Sequence, residues 1–253
     1  MSDNREKDIA DVRSAKRQSP WRVIFGREIR AYFTSPIAYI VCALFLVFSG
    51  FLFFSTFFLA GRAELRAFFE TLPLVFSFFI PALTMRVFSE ENRSGSMETL
   101  MTLPVTDMDV VVGKYLASFV SSLTLLVPTL FYVITCRVFG RPDAGPLAGG
   151  YLGAVFLAAA FSSIGVFASS VTKNQILAFF IGFAVCIVLS LINIFGALLP
   201  GILVSFTTFI SATSHFNSIA RGIIDTRDVI YFVSVTALVF VLTVSAVRNA
   251  RRG

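Results

Sequence analysis

Six long apolar runs, each near the ~20 residues that cross about 30 Å of hydrocarbon, constrain this chain more than any other feature. They are Ile37–Ala60, Phe68–Phe88, Val110–Val138, Leu147–Val171, Ile176–Leu199 and Val229–Val247. None alternates with the period of two that marks a barrel strand. Backbone groups surrounded by lipid must bond within their own segment, so each run is expected to form a helix. The third run, about 29 residues or roughly 43 Å as a helix, must tilt, kink at Pro128 or extend past the bilayer. Pro73 and Pro81 are expected to interrupt the second run in the same way.

Composition supports this reading. Charged residues make up 14% of the 253 positions, where a water-facing domain carries about 25%. Hydrophobic residues make up 56%, with 30 Phe, more than the core of a chain this size would use. The expected fold is an all-α integral membrane protein with six transmembrane helices. It is read as one domain over residues 21–253, preceded by a polar arm over residues 1–20 that is expected to be mobile. That arm lacks the apolar stretch of a cleavable signal. Cys42, Cys136 and Cys186 lie far apart in apolar runs, without metal or redox spacing, and read as small buried hydrophobes.

Six spans place both termini on one side. Arg62, Arg66, Arg137, Arg141, Arg221 and Arg227 fall on the opposite side, and the rest of the 21 Lys and Arg fall beside the termini. Basic residues accumulate on the cytoplasmic face, so both termini are expected there. The net charge of +6 then reflects topology and attraction to anionic headgroups, with no nucleic-acid partner required.

The span centres carry essentially no ionisable groups. Glu70, Arg86 and Lys114 lie near span ends, where their side chains are expected to snorkel to water. The single histidine, His215, falls between the fifth and sixth runs. There is no phosphate-binding loop, no HExxH, no GxSxG and no Cys/His cluster. The chain therefore reads as non-catalytic, with no bound cofactor or metal, and any energy source is expected in a partner. An ion- or proton-coupled carrier or channel, and a scaffold that recruits an ATPase without moving a substrate, remain alternatives.

Two polar segments stand out. In Trp21–Phe33, Trp21, Ile24, Phe25, Ile29, Tyr32 and Phe33 share one helical face with Arg27 and Arg30 opposite, the pattern of an interfacial helix in the headgroups. Glu28 falls inside the apolar arc and breaks the pattern. Between runs two and three, Ser89–Thr106 contains Ser96 as a candidate N-cap, Glu98 in the first turn and Pro104 as a stop. This leaves about two helical turns with Met97, Leu100 and Met101 on one face. A helix this short is not stable alone, so its apolar face calls for a membrane surface or a protein groove.

The stretch E-E-N-R-S-G-S-M-E-T-L-M-T-L-P-V followed by V-V-G-K-Y-L resembles the signature of type-2 ABC exporter permeases. The matching residues are Glu91, Arg93, Gly95, Glu98, Leu100, Pro104, Gly113 and Lys114; Ser96 stands where Thr is commoner. R-E-I-R-A-Y-F-T-S-P-I-A-Y-I (27–40) and S-H-F-N-S-I-A-R-G-I-I-D-T-R-D-V-I-Y-F (214–232) are similar to the gliding-motility and nitrous-oxide-reductase-maturation branch of that family.

The resemblance implies a bacterial inner-membrane permease subunit paired with a second permease subunit. ATP and Mg2+ would be bound by a separate cytoplasmic ABC ATPase. It also implies a coupling helix, in which Met97, Leu100 and Met101 fill a groove on the ATPase and Glu91, Arg93 and Glu98 set its register. Residues 200–228 are expected to form a short external or re-entrant helical pair, where Phe206, Phe209 and Phe216 are candidates for an exit gate. Gly149 and Gly153 have the spacing of a helix contact.

Overall fold

The computed structural model describes residues 19–60, 64–95, 105–140, 142–196, 201–223 and 225–252. Among these residues there are helices and no strand. α1 (Pro20–Thr34) opens with proline at its first position, where the missing N–H costs nothing. It bends at Ser35 into α2 (Pro36–Ala60), the first span. α3 (Arg66–Thr84) is the second span, and after a tight turn the chain continues into α4 (Ser89–Ser94), which ends at Gly95 with φ +72°. α5 (Asp107–Leu123) and α6 (Leu126–Phe139) together make the third. α7 (Ala144–Ser170) and α8 (Gln175–Gly196) are the fourth and fifth. Two short helices, α9 (Gly201–Ile210) and α10 (Ala212–Ala220), precede the last span, α11 (Thr226–Arg252). Six helical segments are long and apolar enough to cross a membrane, as the sequence implies.

The prolines act differently in the two runs that contain them. In the third run the helix breaks at Thr124–Leu125, beginning at the residue four before Pro128, whose ring excludes the carbonyl there. α3, by contrast, continues through Pro73 and Pro81 to Thr84, against the expectation of an interruption. It is the most enclosed part of the fold apart from α7, packed between α2, α7, α8 and α10. Ser77 Oγ donates to Pro73 O at 2.8 Å and lies 2.8 Å from Ser190 Oγ, adding side-chain bonds beside the proline.

α7 is the central pillar. Its buried face is rich in Gly, Ala and Ser, which lets neighbouring helices approach closely. Gly149 lies against Ile219 O and Gly153 against the Phe216 ring, so the small-residue spacing in the sequence marks the seat of α10. Around it the core is aromatic: Phe45, Phe53, Phe76, Phe161 and Phe216 are fully buried. Large apolar side chains also cover the outside of the spans, among them Val47, Phe51, Phe131, Val188 and Leu238, which suits hydrocarbon as the solvent.

Candidate functional site

At the end of the bundle where α11 finishes, α1, α4 and α5 converge on a cluster of four charges. Gly113 makes the approach possible. A side chain there would collide with Trp21 O and the Ile24 side chain, so its absence lets α1 lie directly on α5. Ile24 is buried in that contact, while Arg30 faces out and Trp21 and Phe25 are partly covered.

The next residue of α5, Lys114, lies beneath α1. Its side chain is 0% exposed, and Nζ lies 3.0 Å from Glu28 Oε1 and 2.9 Å from Glu91 Oε2. Nζ also donates to Val87 O at 2.7 Å and sits 5.0 Å from the centre of the Phe88 ring. Arg27 Nη2 completes the cluster, at 2.8 Å from Glu28 Oε1 and 2.6 Å from Glu91 Oε1. The expectation that Lys114 snorkels to water is therefore wrong. Two carboxylates held close by lie nearer than bulk water, and a buried ammonium requires such partners. Glu28, which breaks the apolar pattern of α1, is one of them.

The electrostatics follow from this packing. Burial alone would push the Glu28 carboxyl up. The Lys114 charge and the hydrogen bonds from Arg27 and Lys114 outweigh it and hold Glu28 below the usual carboxylate range. Burial likewise works against the Arg27 cation, but Glu28 and Glu91 reverse the effect and raise it. The formal charges of Arg27, Glu28, Glu91 and Lys114 sum to zero.

Beside it lies a cavity of about 450 Å³, lined by Glu28, Tyr32, Arg86, Lys114, Ser118 and Ser121 among others. Arg86 Nη1 donates to Ser35 Oγ at 2.5 Å, pinning the bend between α1 and α2 to the end of α3. α4 is fixed on its other side by Asn92 Nδ2, which donates to Ser170 O at 3.4 Å and Thr172 O at 3.5 Å. Arg93 is exposed on α4, and Gly95 adopts the left-handed conformation that ends it.

The expected coupling residues Ser96, Met97, Glu98, Leu100, Met101 and Pro104 lie outside the described residues. The chain beyond them is anchored again. Thr106 Oγ1 accepts from Asp109 N at 3.1 Å while Asp109 Oδ2 accepts from Thr106 N at 3.3 Å, a reciprocal cap on α5. Asp107 Oδ1 receives Arg251 Nη1 of α11 at 2.9 Å, with Arg248 Nε 4.0 Å from the other oxygen.

At the opposite end the three gate candidates are not brought together. Phe206 and Phe209 are 62% and 69% exposed on α9, whereas Phe216 is fully buried against α7. Among the described residues no group of His, Cys, Asp and Glu is arranged to hold a metal ion.

Sequence reasoning located Glu91 and Lys114 as parts of a motif but missed their partners Glu28 and Arg27. The usable signal was a lone acid on the apolar face of α1. Residues 36–247 match the family model described as ABC-2 family transporter protein. No curated protein matches the chain.

Proposed function

Since this chain belongs to the ABC-2 transporter family, a family of membrane permease subunits, we propose that it works as an exporter permease driven through its 96–104 loop. Two such subunits, identical or related, would enclose the pathway, and a separate cytoplasmic ABC ATPase would bind and hydrolyse ATP. In this reading the termini and the charge cluster face the cytoplasm of a bacterium, by the distribution of Lys and Arg. Similarity at 27–40 and 214–232 favours the gliding-motility and nitrous-oxide-reductase-maturation branch.

A single observation carries the mechanism: both ends of the 96–104 loop are tied by charge to other helices. Upstream, Glu91 is bound to Arg27 of α1 and Lys114 of α5. Downstream, Asp107 is bound to Arg251 of α11. A push on the loop then reaches three helices at once, through the anchors on its two sides. Met97, Leu100 and Met101 supply the apolar face that seats on the ATPase, and Glu98 and Arg93 orient it. Closure of the ATPase pair on ATP biases the permease toward one of two arrangements, which is what alternating access needs.

The test is co-expression with an ABC ATPase subunit from the same source, comparing wild type with Leu100→Asp plus Met101→Asp. The expected result is loss of co-purification and of coupled ATPase activity, with the six spans still inserted. Unchanged binding and activity would remove the loop from the interface and overturn the reading.

A further inference from the structure

The chain has one histidine, and its setting at the end of the bundle opposite the termini is unusual. His215 on α10 places Nδ1 2.6 Å from Asp228 Oδ1 of α11 and Nε2 2.9 Å from Phe209 O, in the last turn of α9. Both neighbours are acceptors. A neutral imidazole carries one N–H, so it cannot satisfy both. The geometry is met when the His–Asp pair holds one further proton, as imidazolium beside carboxylate or as a proton shared along the 2.6 Å contact. A cation at this point also faces the carbonyl end of α9, where the helix dipole favours it.

The surroundings are arranged as a clasp. The Tyr231 ring stacks on His215 at 4.1 Å between centroids, and its hydroxyl donates to Ile210 O at 2.5 Å. The two consecutive carbonyls at the α9–α10 joint are thus each held by a side chain from α10 or α11. Ser211 Oγ accepts from Ser214 N at 3.2 Å and caps α10 at the same joint.

Other titratable groups on the packed elements are engaged elsewhere. Arg66 and Glu70 of α3 pair with each other at 3.0 Å. Tyr151 of α7 donates to Thr129 O at 3.0 Å. α8 offers only the buried Cys186, and α9 offers none. Near the start of α11, Asp225 Oδ1 accepts from Arg227 N at 3.0 Å, and Arg221 is exposed at the end of α10.

We propose that His215 and Asp228 form a proton-binding site that latches the α9–α10 pair onto the last span. With the proton bound, both ring bonds hold and the joint is closed. Its loss turns a bare ring nitrogen toward either the Asp228 carboxylate or the Phe209 carbonyl, and the latch opens. Closure is therefore favoured in acid and lost as the pH on that side rises. The direction of transport does not enter this argument.

The presence of a single histidine makes the test direct. The full-length chain, labelled with 15N-histidine and held in nanodiscs, gives the protonation of both ring nitrogens from one residue. Followed through a pH series, the expected result is a range in which both nitrogens bear a proton in the wild type while one is bare in Asp228→Asn. Backbone hydrogen exchange over 201–220, corrected for its intrinsic pH dependence, should rise about tenfold or more in the wild type once that proton is lost. A ring nitrogen that stays bare in the wild type throughout the pH series, or exchange that does not respond to its titration, would overturn the proposal even if the variant did not fold.

Discussion

Lys114 Nζ and Glu28 Oε1 meet at 3.0 Å although 86 positions separate them in the chain. The contact joins the second turn of a membrane span to the middle of a helix that lies before the first one. The Lys114 side chain is fully buried and Glu28 is only partly exposed, which makes the partners energetically interdependent.

Removing the cation should show that interdependence. Lys114→Met leaves Glu28 and Glu91 sharing Arg27 alone, and we expect a loss of about 3–5 kcal/mol in stability, the usual cost of breaking a buried pair. Adding Glu28→Gln should restore part of it. Equal destabilisation by the single and double variants, read by thermal unfolding in detergent, would mean that the two groups are not coupled.

The cluster should resist moderate acid. Glu28 is held below its ordinary range, so its contribution is present above the unfolded carboxylate value and is lost only as pH falls through the lower folded one. We expect α1 to stay docked at about pH 5 and to release only below the ordinary glutamate value of about 4.3. Emission from Trp21, the chain's one tryptophan, reports this. A transition centred at about pH 5 or above would contradict the assignment.

Gly113→Val should lift α1 from α5 by forcing Ile24 and the Trp21 carbonyl outward. Overpacking of this kind costs about 1–3 kcal/mol. The observable is a shift of Trp21 emission at neutral pH, with the spans still inserted. An unchanged spectrum would place the tolerance in α1 itself.

Two anchors downstream of the loop can be separated. Thr106→Ala removes the reciprocal cap and should cost about 1 kcal/mol without altering ATPase coupling. Asp107→Arg sets like charges against Arg251 and Arg248, and should reduce coupling while ATPase binding persists. Restoration by Arg251→Asp would tie the effect to the α5–α11 bond. Failure to restore it would assign the loss to Asp107 alone.

Much of the architecture could be read from residues alone because lipid imposes strong rules. Run length announced six helices long and apolar enough to cross a membrane, Pro128 announced the break that begins at Thr124, and Gly149 and Gly153 marked a helix contact. α1 was legible from its apolar face. Its role was not, because the decisive residue contradicts the periodicity: Glu28 is a flaw in an amphipathic pattern until Lys114 is known to lie beneath it. The same holds for His215, whose partners Asp228 and Phe209 O come from two other helices. Pairings set by three helices meeting leave no spacing in the sequence. α3 misled for the opposite reason, since its neighbours hold a helix that local propensity would interrupt.

The break at Thr124–Leu125 divides the third span into two levers with different attachments. α5 is bound to α1 through Lys114 and Gly113, whereas α6 stacks Tyr132 on Phe53 of α2 at 4.6 Å between centroids and places its hydroxyl 3.1 Å from Ser49 Oγ. Under the proposed mechanism, torque delivered at Asp107 would turn α5 about this break, while α6 would stay in step with the first span. A single continuous rod would have to swing as one piece, whereas a broken one has a joint at which its two halves can part company.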